Sequence, residues 1–122
     1  MSTPEPARPD LVYKVLTGPE MAALERDGVF EGSEADRRDG FIHLSTCDQL
    51  TGTVDKHFAG RDDLHVAAVD LSAYRAESVR WERARDDVLF PHLYEPLLLE
   101  TVSAYSPLQR GDDGSVRLPV AG

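Results

Sequence analysis

The stretch Asp39-Gly40-Phe41-Ile42-His43-Leu44-Ser45-Thr46 predicts a short β-strand that stops just before a helix. Side chains alternate between the two faces of a strand. Ile42 and Leu44 therefore share an apolar face, which we expect to pack in the core. The opposite face carries His43 and Ser45, and polar groups on such a strand mark a candidate site.

A helix is predicted directly after this strand. Thr46 is followed three residues later by Gln49, which is the capping-box pattern of a helix start. Apolar residues then recur at helical spacing from Leu50 to Phe58, so the helix is expected to end near Gly60. The free N–H groups at the start of such a helix can bind an anion such as phosphate.

The chain before this stretch predicts a strand, a helix and a loop. Residues 11–16 are rich in β-branched and aromatic side chains, which favours a strand. Thr17 and Glu20 repeat the capping-box pattern, and Gly28 is typical of a helix end. Residues 34–39 are almost entirely charged and are predicted to form a polar loop.

The chain after the stretch is predicted to be mostly β-structure. Strands are expected at residues 64–70, 79–82, 90–94, 97–105 and 116–120. Pro91 lacks a backbone N–H, which places the third of these at a sheet edge or a bend. Because the strands cluster after the two main helices, we predict an α+β fold with a split, mostly antiparallel sheet. Residues 11–122 would form a single domain behind a flexible lead-in at residues 1–10.

The composition indicates a folded protein without a broad nucleic-acid interface. Of the 122 residues, 41% are hydrophobic and 29% are charged, close to the globular norm. The formal net charge of -9 argues against an extended contact with phosphates, which depends on Lys and Arg. No apolar run approaches the ~20 residues that cross a membrane, and residues 1–10 lack the apolar core of a secretory signal. The single cysteine, Cys47, fits a reducing cytoplasm.

A second block, Phe90-Pro91-His92-Leu93-Tyr94, is the expected partner of the first across the fold. Phe90, His92 and Tyr94 share a face if this segment is extended. Two aromatic rings beside an imidazole can line a slot for a flat ring such as a base or nicotinamide. A packed aromatic corner would explain the same pattern without a ligand.

Other charged and titratable residues have both a functional and a structural interpretation. His43 could hold a ligand oxygen or transfer a proton, since imidazole titrates near neutral pH, or a backbone carbonyl could satisfy it. Glu82 could act as a catalytic carboxylate, or it could be solvated at a strand end. Arg83 and Arg85 could bind a phosphate, or they could pair with the acids of their own loop.

Cysteine and metal chemistry receive less support from the sequence. Cys47 lies in the first turn of the second predicted helix, where the helix dipole can activate a thiol beside His43. No known cysteine-enzyme signature accompanies it. The four histidines do not show zinc-ligand spacing, so no metal site is predicted. Glycine-rich phosphate loops and the nucleophile elbow are also absent from the sequence.

Several blocks occur in an order that resembles a known family. They are Tyr13-Lys14-Val15-Leu16-Thr17, the stretch at residues 39–46, His57-Phe58-Ala59-Gly60, Trp81-Glu82 and Leu89-Phe90-Pro91-His92-Leu93-Tyr94. Together they resemble a bacterial domain family of unknown function that is marked by GFIHLST and FPHLYGPL blocks. The resemblance covers residues 11–108, which is nearly the whole predicted domain.

The resemblance implies a fold related to the ADP-ribosyltransferases, with a cleft for a nicotinamide dinucleotide. The order of strand, helix and histidine block is also similar to the RNA 2'-phosphotransferase branch of that superfamily. This chain departs from the pattern at two places. Lys14-Val15-Leu16 replaces a His-Gly-Thr of that branch, and Glu95 replaces a glycine that is usual in the family. The arginine-rich catalytic set of the transferases is not evident.

For function, the resemblance implies a cleft that binds a nucleotide, with NAD as a candidate substrate. The residues expected to line it are His43, Ser45, Thr46, Phe90, His92 and Tyr94. In a transferase, His43 would hold a ribose hydroxyl or phosphate and Glu82 would orient a hydroxyl. His92 or Tyr94 would stack on a ring. Two alternatives stay open, a non-catalytic binding or regulatory module and a small hydrolase or isomerase that uses the two histidines. The sequence predicts no oligomeric state.

Overall fold

The computed structural model describes residues 9–120, which contain three α-helices and eight β-strands joined by short turns. In chain order these elements are β1 (Leu11–Thr17), α1 (Gly18–Asp27), β2 (Val29–Phe30), α2 (Glu34–Asp39), β3 (Ile42–His43), α3 (Cys47–His57), β4 (Leu64–Asp70), β5 (Val79–Arg83), β6 (Leu89–Leu93), β7 (Leu97–Leu98) and β8 (Val102–Pro107). Most of the predicted lead-in lies outside the described residues. Within residues 9–120, no helix has the length and apolar character needed to cross a membrane.

The sheets confirm the predicted α+β class with mostly antiparallel pairing. β4 lies between β1 and β8 in one three-stranded sheet, and β6 lies between β3 and β5 in another. β2 and β7 form a two-stranded sheet, also antiparallel. The finer expectation, an arrangement like that of the ADP-ribosyltransferases, stays a prediction.

A backbone bridge joins the two three-stranded sheets. Tyr13 N donates to Ser45 O at 2.8 Å, and Ser45 N donates to Tyr13 O at 2.9 Å. Tyr13 belongs to β1, whereas Ser45 follows β3 by two residues. The first histidine block is therefore held against the edge of β1, and the candidate site is built where the sheets meet.

β1 is buried on both faces and contributes to two core clusters. Val12 and Leu16 pack in one cluster with the buried residues of α1. Tyr13 and Val15 pack in the other with Leu50 and its neighbours on α3. Burial of such side chains contributes about 1.5–3 kcal/mol each. β1 therefore helps to stabilise both hydrophobic clusters.

α1 forms as its sequence predicts. Thr17 Oγ1 accepts a hydrogen bond from Glu20 N at 3.3 Å, and Glu20 Oε1 accepts one from Thr17 N at 2.8 Å. Gly28 then adopts a φ of 74°, the left-handed conformation that ends a helix without the steric cost of a side chain. The second predicted helix is α3, which ends at His57 and does not extend to Gly60.

The prediction of a polar loop at residues 34–39 is wrong, because these residues form α2. Ser33 Oγ accepts a hydrogen bond from Asp36 N at 3.1 Å, and Asp36 Oδ2 accepts one from Ser33 N at 2.9 Å, which is a further capping box. Gly40 ends the helix with a φ of 87°. Six mostly charged residues carry no apolar stripe, so the periodicity that predicts longer helices is absent here. Residues 9–120 thus contain three α-helices and not two.

The placement of residues 90–94 at a sheet edge or bend is also wrong, because β6 is the central strand of its sheet. Leu44 N donates to Pro91 O at 3.2 Å, and Pro91 has no N–H with which to return the bond. The ladder between β3 and β6 therefore ends after the pair of His43 and His92. Proline is tolerated in this central strand because its missing donor faces the point where β3 stops.

The long strand predicted at residues 97–105 is interrupted. A 3-10 turn at Leu99–Thr101 divides it into β7 and β8. Thr101 Oγ1 donates to Leu98 O at 2.7 Å, so a side chain satisfies a carbonyl that a continuous strand would pair. The two halves join different sheets as a result.

The last predicted strand, residues 116–120, is reduced to an isolated bridge between Arg110 and Val116. Val116 N donates to Thr51 Oγ1 of α3 at 2.9 Å. The segment is therefore anchored to a helix side chain and not to a neighbouring strand.

Candidate functional site

A cleft of about 940 Å³ opens where the two sheets meet. Residues of β1, α2, β3, α3 and the loop between β5 and β6 contribute to its walls. Four of the predicted site residues line it, namely His43, Ser45, Phe90 and His92. Pockets that hold small molecules and cofactors typically enclose ~300–1,000 Å³, so the cleft has room for a ligand of that size.

His43 is held by two carboxylates of α2. Its Nδ1 lies 2.6 Å from Asp36 Oδ1, and its Nε2 lies 2.9 Å from Asp39 Oδ2. Its backbone N also donates to Asp36 Oδ1 at 3.0 Å. Because ionised carboxylates only accept hydrogen bonds, a doubly protonated His43 ring donates to both at once. The His43 ring is therefore bonded to carboxylates. The structural interpretation, in which a backbone carbonyl satisfies the ring, does not apply.

Asp36 lies at the centre of this network and is almost fully buried. Its Oδ2 accepts a hydrogen bond at 3.0 Å from Nζ of Lys14, which is also buried. Burial alone would raise the pKa of Asp36, but the hydrogen bond from His43, the charge of Lys14 and nearby backbone N–H groups hold it well below its usual range. Asp36 is therefore ionised at neutral pH and orients the His43 ring.

His92 has a carboxylate partner of its own. Its Nδ1 lies 2.8 Å from Glu82 Oε1, which also accepts a hydrogen bond from Tyr94 Oη at 2.6 Å. The hydrogen bonds from Tyr94 and His92 lower the pKa of Glu82, so the carboxylate is ionised and Nδ1 is the donor. Burial lowers the pKa of His92 despite the opposing effect of Glu82. The neutral His92 ring then carries its lone pair on Nε2.

The two histidines lie side by side on neighbouring strands. His43 pairs with His92 in the antiparallel register of β3 and β6, and their ring centroids are 5.8 Å apart. Phe41 stacks on His92 with 3.9 Å between centroids and lies 4.6 Å from the His43 ring. The expected partnership of the two histidine blocks is therefore confirmed. The arrangement places a potential proton donor, His43, beside a potential proton acceptor, His92.

Three predicted site residues do not line this cleft. Glu82 is bonded to His92 and supports its ring. Tyr94 is more than a third exposed and, with Phe41, borders a separate hollow of about 310 Å³. Thr46 begins α3, where its backbone N donates to the side chain of Gln49 at 3.0 Å.

The α3 side of the cleft carries positive charge. Arg85, in the loop between β5 and β6, places its guanidinium carbon 5.1 Å from the centroid of the Phe90 ring. The expected pairing within this loop occurs for Arg83, whose Nη1 lies 3.6 Å from Asp87 Oδ2. It does not occur for Arg85. Lys56 lines the same cleft from α3.

Sequence reasoning gave no site role to Lys14, Asp36, Asp39 or Phe41. The local signal for Asp36 is its spacing from Ser33, which is a capping-box pattern that buries a carboxylate beside the helix start. Lys14 is a single charge in an otherwise apolar strand, and a fully buried lysine needs a partner. That partner lies 22 residues away in the sequence, where no local pattern could identify it.

Cys47 does not form the nucleophile pair with His43 that its position allowed. It is exposed, it lies outside the cleft lining, and its Sγ has a long contact of 3.8 Å with Asp48 Oδ1. Among residues 9–120, no group of three or more His, Cys, Asp and Glu side chains could hold a metal ion.

The fold and the site together define a small α+β domain whose cleft is lined by paired histidines of two neighbouring strands. Residues 15–105 match the model of the family described as "Protein of unknown function (DUF952)". The chain therefore belongs to this family. The prediction that the chain belongs to a domain family of unknown function is confirmed. The resemblance to the ADP-ribosyltransferases stays a prediction.

Solved structures agree with this assignment. The chain is 40% identical to protein CC0527 from Caulobacter crescentus, whose X-ray crystal structure matches with a TM-score of 0.78 over 88% of this chain and 93% of that chain. A solution NMR structure of CC0527 matches with a TM-score of 0.74 over 88% of this chain and 90% of that chain. The comparison with curated proteins found no match.

Proposed function

We propose that the cleft binds a nucleotide of the NAD or ADP-ribose class. The observation that carries this proposal is the distribution of charge along the cleft. On α2, Asp36 and Asp39 are ion-paired with Lys14 and Arg38 and contact the His43 ring. The positive charge that stays unpaired among the described residues of the cleft lining lies at Lys56 and Arg85, and it suits the anionic diphosphate that NAD and ADP-ribose share.

The lining of the cleft is much less acidic than the chain as a whole. Five Lys and Arg side chains and four Asp and Glu side chains line it, whereas the whole chain has a net charge of -9. Within residues 9–120, Lys56 and Arg85 have no carboxylate oxygen within 4.0 Å. Their charges are therefore available to an anionic ligand.

The cleft also offers groups for the uncharged parts of a nucleotide. Phe90 is almost fully buried at the wall, and the guanidinium of Arg85 lies 5.1 Å from its ring centroid. A base would stack on the layer that these two side chains form, and such stacking contributes ~1–3 kcal/mol. Ser45 lines the cleft with its Oγ 2.8 Å from Thr53 Oγ1, and the hydroxyl keeps capacity for a hydrogen bond to a ribose hydroxyl. His43 would contact a ribose hydroxyl by exchanging its hydrogen bond with Asp39. The cleft thus contains both an aromatic side chain for a base and polar side chains for a ribose.

The proposal concerns binding of the nucleotide and does not include a reaction of the bound ligand. Glu82, expected to orient a hydroxyl in a transferase, is bonded to His92 and Tyr94 and does not line the cleft. We therefore assign Glu82 to the positioning of His92. Glu34, Asp36 and Asp39 are the carboxylates of α2 that border the ligand space.

Calorimetric titration with NAD and ADP-ribose tests the proposal. The wild-type protein is expected to bind both, and Phe90→Leu and His43→Ala are each expected to weaken binding about 10-fold. Tyr105→Leu removes an exposed aromatic ring on β8 that does not line the cleft, so this variant is the matched control and should bind normally. Failure of the wild-type protein to bind either nucleotide would overturn the proposal.

The two histidine–carboxylate pairs favour a second candidate function, acid–base catalysis on the bound ligand. The ring centroids of His43 and His92 are 5.8 Å apart, within reach of one substrate. In a hydrolysis, Nε2 of neutral His92 would accept a proton from the attacking water. Protonated His43 would exchange its Nε2–H bond to Asp39 for one to the leaving group and donate that proton. Glu82 would hold His92 in the required tautomer.

Product analysis by chromatography tests this second function. NAD and ADP-ribose are incubated with the wild-type protein, with His43→Ala and with His92→Gln. Turnover that falls ~100-fold or more in each variant, with Tyr105→Leu unaffected, is the expected result. Ligand that stays unchanged with the wild-type protein would remove the catalytic function and leave the binding function in place.

A further inference from the structure

We infer that Lys56, His57 and Arg85 form a subsite for the diphosphate group of the bound nucleotide. All three line the α3 side of the cleft. The identity of the nucleotide rests on the proposed function, whereas the affinity of the subsite for a diphosphate group does not. The two properties can therefore be tested separately.

Arg85 is held in place by contacts with two neighbouring elements. Its Cζ lies 5.1 Å from the centroid of the Phe90 ring, and its Nη1 lies 3.4 Å from Gly52 O on α3. A Cβ at Gly52 would lie 3.2 Å from Arg85 Nη2, so the glycine lets the guanidinium lie a few tenths of an ångström closer to α3 than a larger residue would. A guanidinium placed in this way keeps further N–H groups for two parallel hydrogen bonds to phosphate oxygens.

Arg83, the last residue of β5, shows how a paired arginine near this loop differs. Its Nη1 donates to Asp87 O at 2.7 Å and lies 3.6 Å from Asp87 Oδ2. Arg83 is absent from the cleft lining, whereas Arg85 belongs to it. The arginine at the end of β5 is therefore neutralised by a neighbouring aspartate, whereas the charge of Arg85 in the loop is left for the cleft.

The backbone of this loop is strained next to Arg85. Asp86 and Asp87 adopt φ values of 58° and 59°, in the left-handed region that side chains other than glycine rarely occupy. Ala84 N donates to Val88 O at 3.0 Å, which closes the loop around them. Strain of this kind persists where the surrounding structure enforces it, often at ligand-binding segments. Here it accompanies the placement of Arg85 over α3.

His57 is exposed to the same positive field. Partial burial, followed by the charges of Arg85, Lys56 and His43, lowers the pKa of His57. These charges reach it from three elements, the β5–β6 loop, α3 and β3. A bound diphosphate would have the opposite effect, because nearby negative charge favours the protonated ring. Diphosphate binding near neutral pH is therefore expected to be coupled to proton uptake by His57.

Titration with inorganic pyrophosphate at low salt tests the subsite without a nucleotide. The wild-type protein is expected to bind pyrophosphate, and Arg85→Ala is expected to weaken binding about 10-fold or more. Arg83→Ala removes the same charge two residues earlier, at the end of β5, and should change the affinity less than about twofold. Circular dichroism is used to check that both variants are folded. Equal weakening by the two variants, or no binding by the wild-type protein, would overturn the subsite.

The proton coupling is measured by repeating the titration in two buffers with different ionisation enthalpies. The wild-type protein is expected to take up a fraction of a proton more than His57→Gln on binding pyrophosphate at about pH 7, because the protons exchanged by pyrophosphate itself are common to both proteins. His57→Gln should keep measurable binding. Equal proton exchange in the two proteins would exclude His57 from the subsite.

Two further ligands separate this inference from the proposed function. Arg85→Ala should weaken ADP-ribose as much as pyrophosphate and leave adenosine, which has no phosphate, unaffected. Binding of pyrophosphate that depends on Arg85, without binding of NAD or ADP-ribose, would support the subsite and overturn the proposed ligand. ADP-ribose that binds equally well to the wild type and to Arg85→Ala would overturn the subsite and leave the nucleotide proposal standing.

Discussion

Asp36 Oδ1 lies 2.6 Å from His43 Nδ1, and this contact ties helix α2 to strand β3. The other oxygen of the same carboxylate accepts a hydrogen bond from Lys14 Nζ of β1 at 3.0 Å. One buried carboxylate therefore connects three elements that border the cleft. The stability of the fold and the orientation of His43 depend on the same side chain.

Asp36→Asn is expected to lower the free energy of unfolding by about 3–5 kcal/mol, because removing one partner of a buried pair leaves the ammonium of Lys14 without a counter-charge. Urea denaturation followed by circular dichroism measures the change. Asp63→Asn is the matched control, since Asp63 pairs with Arg61 at 2.7 Å on the exposed surface and should change stability little. Equal effects of the two substitutions would contradict a special role for the buried pair.

Asp36 also predicts how stability depends on pH. The pKa of Asp36 is lower in the folded protein than in the unfolded chain, where aspartate titrates near ~3.9. The unfolded chain therefore binds this proton more tightly. The stabilisation is complete above about pH 5 and is lost as the pH falls through the folded-state pKa. Denaturation at a series of acid pH values should show the difference between wild type and Asp36→Asn shrinking. A constant difference would contradict this account.

His92 is expected to titrate below an ordinary histidine, because burial lowers its pKa. Since the unfolded value is near ~6.5, its contribution to stability is present above that pH and is lost as the pH falls through the folded-state pKa. Glu82→Gln should lower the pKa of His92 further, because the carboxylate opposes the effect of burial. NMR titration of the ring Cε1–H measures both effects.

Tyr94→Phe is the control for the Glu82 experiment. It removes the hydrogen bond from Tyr94 Oη to Glu82 but keeps the negative charge beside His92. The pKa of His92 should therefore move less than in Glu82→Gln. If Glu82→Gln raised the pKa of His92, the assignment of Glu82 as its stabilising partner would be wrong.

Gly52→Ala is expected to change stability and pyrophosphate binding in opposite directions. Gly52 lies inside α3, where alanine is favoured over glycine by about 0.5–1 kcal/mol. The added methyl group would lie 3.2 Å from Arg85 Nη2, so the guanidinium would have to shift by a few tenths of an ångström. Thermal denaturation should therefore show a higher Tm, and calorimetry should show weaker pyrophosphate binding.

A double variant checks the cause of that weaker binding. In the Arg85→Ala background, Gly52→Ala should have no further effect on pyrophosphate affinity, because the displaced group is already gone. An additional loss in the double variant would show that Gly52 acts on the cleft by another route.

The parts of the fold that sequence reasoning predicted correctly are those specified within a few residues. Thr17 and Glu20 satisfy each other across one helical turn, so α1 could be located from their spacing. The alternation of Ile42 and Leu44 likewise placed one face of the histidine strand in the core. Prediction from local sequence patterns failed where a short helix has no apolar periodicity, as in the six charged and small residues of α2.

The site was predictable only in part, because its geometry depends on tertiary contacts. His43 and His92 could be identified from their blocks, and their partnership follows from the pairing of β3 with β6. The carboxylate of Asp36 reaches His43 only because residues 34–39 are helical, and Lys14 reaches Asp36 from another sheet. Pro91 was wrongly predicted to lie at a sheet edge or bend. A central strand accepts a proline here because β3 is short and ends beside it, and only the folded structure shows where β3 ends.

The paired backbone hydrogen bonds between Tyr13 and Ser45 fasten the edge of β1 to the segment after β3 beside the cleft. We therefore expect the two sheets to move together when a ligand binds. The loop at residues 84–88, whose side chains are mostly exposed, is the part of the wall expected to adjust. In deuterium exchange, the amides of Tyr13 and Ser45 should be as slow as those of β4, while the loop exchanges quickly and becomes protected when a ligand binds.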